Sequence, residues 1–295
     1  MKPPNALALK GAAVEEWVDL RFYRPLGAWV ARALLPTAVT ADEVTLAALL
    51  VGLAGGHLFL YTDWHRNALG FALLIVSDVL DSADGQLARL RGTSTRLGRA
   101  LDGIGDNFRF VNIYVHLGLR LWRAGGGWAA VLLTVTAALS HSLQSAVVDF
   151  VRNAYLYVTG NVAELDLPED LEAAPARSWW RRVAARIYRD YVGRQAVLLP
   201  RTASLMRLLR RGPVPEAFAA EYVERQTPLL ALCPWLGQNI RFALIGITAL
   251  AGHPAYYLWA EAAAMNVLFA LLAVTHEWNA TALRAALADP GGAYA

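Results

Sequence analysis

Residues 78–109 read DVLDSADGQLARLRGTSTRLGRALDGIGDNFR, an acid-rich stretch set between two apolar ones. Asp81 and Asp84 are three residues apart and Asp102 and Asp106 four apart, so each pair shares one face of its own helix. The segment of roughly 90–97 carries Gly92, Thr93, Ser94 and Thr95 and reads as the turn between the two helices. If they are antiparallel neighbours, all four carboxylates converge at one end of the pair. Facing carboxylates in an apolar setting are costly to bury, so the quartet must be neutralised. Oxygen-only ligation favours a hard divalent cation over zinc, and the expected cofactor is Mg²⁺ or Mn²⁺, with Ca²⁺ the remaining hard ion, as one ion or a pair. Ions held this way would bind a diphosphate and stabilise the charge that develops as it is cleaved.

The flanking sequence places this pair of helices in a membrane. An uncharged run at 44–61 and an apolar run at 68–80 lie before the acids, and the segments 98–121, 128–158, 236–250 and 256–275 follow. The first of these is barely long enough to cross ~30 Å of hydrocarbon, and all six are read as spanning segments. The expected fold is therefore all-α, an integral membrane protein of six transmembrane helices. Residues 12–35 mix Trp17, Phe22 and Trp29 with Glu15, Glu16, Asp19, Arg21, Arg24 and Arg32, the pattern of an amphipathic helix lying in the interface. Residues 160–228 change character, with 11 Arg, 9 acids and the pair Trp179 and Trp180, and read as a helical, extramembranous insertion. The expected organisation is an interfacial segment 1–40, helices one to four over 41–159, the insertion 160–228, helices five and six over 229–278, and a tail 279–295.

Composition agrees with that class. Hydrophobic residues make up 56% of the chain and charged ones only 17%, with mean hydropathy +0.34, beyond the range of an ordinary soluble domain. A formal charge of +3 gives no case for nucleic-acid binding. The single Cys233 excludes an internal disulfide and a cysteine metal site. No removable signal peptide is read in the N-terminal residues. Arg89, Arg91, Arg96 and Arg99, together with the arginines of the insertion, assign the acid-rich turn, the insertion and both termini to the cytoplasm. Arg181, Arg182, Arg186 and Arg189 are expected to meet anionic lipid headgroups.

Asp81, Asp84, Gly85, Ala88, Arg89, Gly98, Asp102 and Asp106 fill the pattern D-x2-D-G-x2-A-R-x8-G-x3-D-x3-D without a gap. In this the chain resembles the CDP-alcohol phosphotransferase (CDP-alcohol phosphatidyltransferase) family. Before the first spanning run, where the family often shows T-P-N-x-x-T, this chain has Thr40, Ala41, Asp42, Glu43, Val44 and Thr45, a departure at two positions. The resemblance implies that Asp81, Asp84, Asp102 and Asp106 hold metal. It also implies that Asp106 is the general base taking a proton from the acceptor hydroxyl, and that Gly85, Ala88, Arg89 and Gly98 line the cytidine and diphosphate site. The implied partners are a CDP-alcohol, an acceptor alcohol, membrane lipid and, as in similar proteins, a second copy of the chain. The implied location is a bacterial cytoplasmic membrane, with the site facing the cytoplasm. The motif recognises CDP and not the rest of the donor. Six spans favour CDP-diacylglycerol as donor over CDP-choline or CDP-ethanolamine acting on diacylglycerol or ceramide.

Further polar residues sit in apolar helices. Gln144, Asp149, Arg152 and Asn153 read either as contacts to the acceptor or a lipid headgroup or as interhelical hydrogen bonds. Arg241 paired with an acid reads as structural, Asn239, Glu261 and Asn266 are similar cases, and Gly103 and Gly105 read as packing contacts. The rival from another class is a divalent cation transporter with its path lined by the aspartates. It predicts acids at mid-bilayer, whereas these lie at a helix end, and it has no use for Arg89, Ala88 or the glycine spacing.

Overall fold

The computed structural model describes residues 14–93, 96–162, 164–171 and 179–288, with the side chains of 96–104, 180, 181, 184 and 288 left aside. Every regular element among the described residues is helical. The chain divides into two compact units, one of residues 16–140 and 238–263 and one of 14–15, 141–237 and 264–288 within the described range.

The first unit begins with a π-helical turn, Asp19–Tyr23, that runs into α1, Arg24–Leu34. The connection to α2, Ala41–Leu58, is held by Arg91, whose guanidinium donates to the carbonyls of Leu34 (3.1 Å), Thr37 (2.9 Å) and Val39. α2 starts with a reciprocal cap. Thr40 Oγ1 accepts from the Glu43 N–H at 3.2 Å, and Glu43 Oε2 accepts from the Thr40 N–H at 2.7 Å. Ala41 and Asp42, where the sequence departs from T-P-N-x-x-T, lie between these two capping residues in the first turn of α2.

α3, Trp64–Arg91, is one continuous helix, capped at its start by the Asp63 carboxylate on the Arg66 N–H and ended by Gly92 at φ 67°. The apolar run and the acids expected beyond it thus form a single rod. α2 and α3 touch through glycines, because a Cβ at Gly55 would lie 2.9 Å from the Gly70 carbonyl oxygen and one at Gly70 would lie 2.9 Å from that of Gly55. α4, Arg96–Leu121, is followed by a π-helical turn, Trp122–Gly126, and α5, Gly127–Val158. Gly125 (φ 90°) and Gly127 (φ 51°) take up backbone angles open to glycine, and the chain reverses there. Gly118 on α4 then faces Thr134 on α5. α9, Gln238–Leu250, and α10, Ala255–Trp259, complete the unit, and its core brings Phe59, Leu74, Ile113, Leu117, Ala137, Phe242 and Tyr257 together.

The second unit holds the remainder of α5 with α6, Trp179–Leu198, α7, Pro200–Leu209, α8, Glu216–Leu230, and α11, Met265–Ala288. The 160–228 segment packs through α7 and α8 onto α11. The contact is specific, since the Glu277 carboxylate accepts from the N–H groups of Arg201 (2.9 Å) and Thr202 (2.8 Å) and so caps α7 from another helix. α11 runs to Ala288, well into the stretch expected as a tail, because 279–288 continues its helical pattern without a breaker.

Three stretches among the described residues are long and apolar enough to cross a membrane: Ala41–Leu58, Gly105–Val158 and Ala255–Leu287. The second has 54 residues and contains the Gly125–Gly127 reversal. α3 is long enough but carries Asp78, Asp81, Asp84, Arg89 and Arg91 in its second half, and α9 has only 13 residues.

Candidate active site

α3 and α4 bring the acidic segment together within the first unit. Asp78, Asp81, Asp84 and Gly85 lie on the last turns of α3, and Asp106 and Arg109 lie one turn apart on α4. At the centre stands Arg109, only 2% exposed. Its Nη1 donates to Asp78 Oδ1 at 2.9 Å and to Ser77 Oγ at 2.8 Å, and its Nη2 donates to Asp81 Oδ1 at 3.3 Å and to Asp106. One guanidinium therefore gathers three carboxylates from two helices. Asp81 and Asp106 share the same guanidinium nitrogen, so these two motif residues do converge.

The surroundings are built around that guanidinium. Ser77 in turn donates to the Ala48 carbonyl of α2 at 2.7 Å, and Gln238 Nε2 of α9 donates to Asp78 Oδ1 at 2.7 Å. Gly52 leaves room for the arginine stem, because a Cβ there would lie 2.6 Å from Arg109 Cδ. Asp78 and Arg109 were not singled out as site residues from the sequence, although the signal was present. Asp78 precedes Asp81 by three residues and Arg109 follows Asp106 by three, the same helical spacing that joined the motif aspartates.

The side chains of Asp81 and Asp106 are 29% and 34% exposed, open enough to meet a ligand, whereas Asp84 is buried at 5%. Asp84 is approached by the Thr45 side chain and the Gly85 N–H. Its Oδ2 is buried with no hydrogen-bond partner among the described residues. A buried carboxylate oxygen left over in this way is what a cation would satisfy. The donor set is all oxygen, and in chemistry it fits a hard divalent ion. Among the described residues no three acidic or histidine groups already stand in ligating distance of one another. Arg109 fills that role between Asp81 and Asp106. Asp102 and Gly98 lie on α4, but their surroundings fall outside the described residues. Gly85 has open space, since a Cβ on it would meet only the Arg89 guanidinium at 3.4 Å, so Gly85 and Arg89 form one edge.

The proposed acceptor set lies in the second unit. Gln144, fully buried, donates to Asn266 Oδ1 at 3.0 Å, and Asp149 accepts from the Tyr191 hydroxyl. Arg152 is half-buried and Asn153 exposed. Gln144 and Asp149 thus each make a hydrogen bond to a neighbouring helix. In the first unit Arg241 pairs with Glu261, both buried, through hydrogen bonds of 3.0 and 3.2 Å, as expected of a structural pair. Asn239 donates to Glu16 at 2.7 Å and to Asp19 at 3.0 Å, tying α9 to the start of the chain.

Residues 38–161, the segment containing α2 to α5 and all eight motif positions, match the family described as CDP-alcohol phosphatidyltransferase. A protein named "Phosphatidylinositol phosphate synthase" from Mycobacteroides abscessus is 33% identical over 123 residues, 42% of this chain and 53% of that protein. Proteins named "Putative cardiolipin synthase" from Mycobacterium tuberculosis and Mycobacterium bovis are 35% identical over 74 residues, 25% of this chain and 35% of theirs. The chain thus spans between about a third and about half of the length of the curated relatives it matches.

Proposed function

We propose that this chain is a phosphotransferase of phospholipid synthesis that moves the phosphate-linked group of a CDP-alcohol to an acceptor alcohol and releases CMP. The observation that carries the reading is the convergence of Asp81 and Asp106 from two helices, inside a segment that keeps every fixed position of the family's pattern. The relatives' names both denote phospholipid synthases, which favours CDP-diacylglycerol as donor over a soluble CDP-alcohol. The six crossings would be α2, α3, the reversed pair α4 and α5, α9, and α10 with α11, with α1 and α6 to α8 outside them. The acidic ends of α3 and α4 would then face the cytoplasm of a bacterial cell.

Asp81, Asp84, Asp102 and Asp106 would hold Mg²⁺ or Mn²⁺, and the bound cation would supply neutralisation of the diphosphate and of the charge building on departing CMP. The remaining work belongs to the protein. Gly85 presents bare backbone on which the nucleotide can lie, with Ala88, Arg89 and Gly98 around it. Asp106 receives the proton of the acceptor hydroxyl, whose oxygen forms a bond to the β-phosphorus as the bond from that phosphorus to the bridging oxygen breaks. Asp78 and Arg109 fix where Asp81 and Asp106 point. This is catalysis by positioning and electrostatics, with no covalent enzyme intermediate. Purified protein with Mg²⁺, CDP-diacylglycerol and a panel of polar alcohols should release CMP, and Asp106→Asn should abolish release while leaving the fold intact. CMP release at the wild-type rate by Asp106→Asn would remove the base assignment, and no release with any CDP-alcohol would remove the reading itself.

A further inference from the structure

The 160–228 segment falls mostly outside the family match, and its α6 has two unlike faces. One face is seated in the second unit: Val192 and Gln195 are buried, and the hydroxyls of Tyr188 and Tyr191 bond to Asp166 (2.7 Å) and to Asp149. The other face carries Trp179, Val183 and Ile187 at i, i+4 and i+8, exposed by 70%, 48% and 41%. Val197 continues that side at 78%. Apolar side chains in such a row are not what a water-facing helix presents. Beside them runs a second stripe of exposed cations, Arg182, Arg186 and Arg189. On the exposed face of α6 the described acid is Asp190 alone.

An apolar row flanked by arginines on one side of a helix matches a bilayer interface, where the apolar groups enter the acyl boundary and the guanidiniums meet phosphates. A bilayer is also close at hand, since the same unit contains α11, part of a stretch long and apolar enough to cross one. Tethering makes a weak surface affinity effective. We propose that α6 is a membrane-surface helix that docks on anionic lipid through Trp179, Val183 and Ile187, with Arg182, Arg186 and Arg189 selecting the headgroup charge. This inference is independent of the chemistry at the aspartates.

Full-length protein carrying a spin label at Val183→Cys, and separately at Ile187→Cys, tests it in lipid nanodiscs, with buried Cys233 left in place. One arginine at an anionic surface is worth about fivefold in partitioning. The ratio of oxygen to nickel-chelate accessibility at the label should therefore rise about fivefold or more from phosphatidylcholine discs to discs containing phosphatidylglycerol. Arg182→Glu with Arg186→Glu should cancel the rise without changing the circular dichroism spectrum. A label equally open to the nickel chelate in both discs would overturn the proposal. So would equal protection regardless of lipid charge, whether from the bilayer or from a second copy detected by a dimeric mass in detergent.

Discussion

Replacing Arg109 by methionine isolates the contribution of the guanidinium, because methionine keeps most of the apolar stem and removes every donor. Asp78, whose side chain is 6% exposed, then loses its ion pair and, among the described residues, keeps the hydrogen bond from Gln238, and Ser77 loses a donor inside the protein. Breaking one side of a buried pair costs about 3–5 kcal/mol, roughly two to three and a half powers of ten in the folding equilibrium. Asp81 and Asp106 add little to that figure, since both are about a third exposed and water screens what they lose. The measurement is reversible unfolding in mixed detergent micelles, followed by circular dichroism, for Arg109→Met, Asp78→Asn and the double variant. Both single changes should be strongly destabilising, and the double variant should be less so than their sum by about 1 kcal/mol or more. Arg225→Met, which breaks the exposed pair with Glu221, serves as the control and should stay within ~0.5 kcal/mol of wild type. An Arg109→Met protein as stable as that control, or strict additivity in the cycle, would refute the claim that one guanidinium organises the acids.

Two glycines on neighbouring helices should respond in opposite ways. Gly55→Ala places a Cβ 2.9 Å from the Gly70 carbonyl oxygen and should cost about 1–3 kcal/mol in the same unfolding assay. Gly85→Ala meets nothing closer than 3.4 Å and should unfold like wild type, yet weaken binding of CDP in a calorimetric titration. At the insertion, the hydrogen bond from Arg207 holds the Glu169 carboxyl below the ordinary carboxylate range. A group whose folded value is depressed contributes stability at neutral pH and loses it as the pH falls through the carboxylate range. Amide exchange at 168–171 should accordingly quicken on acidification once corrected for intrinsic rates, by a small factor because both partners are nearly half exposed.

Apolar run length made the helices readable. α4 and α5 begin within two residues of where the sequence placed them and end where it did, since Leu121 and Val158 precede strong breaks in pattern. The spacing of Asp81 and Asp106 was legible for the same reason, because helical period fixes which side chains share a face. Asp78 and Arg109 were less visible. Their role depends on how α3 and α4 are rotated about α2, where Gly55 and Gly70 bring α2 and α3 close and Gly52 admits Arg109, and a single sequence does not report that rotation. Gln144 and Asp149 illustrate the opposite limit: polarity in an apolar helix marked them as special, while their partners Asn266 and Tyr191 lie 122 and 42 residues away. The packing of the insertion on α11 depends on Glu277 capping α7, a contact between segments more than 70 residues apart with no local signature.

Binding of Mn²⁺ followed by electron paramagnetic resonance, with and without CDP, measures directly whether the aspartates of α3 and α4 hold a cation that also grips a diphosphate. The account predicts uptake by the wild-type protein, tighter binding when CDP is present, and a loss of about tenfold or more in affinity for Asp84→Asn. Equal uptake by wild type and Asp84→Asn, or uptake indifferent to CDP, would contradict it.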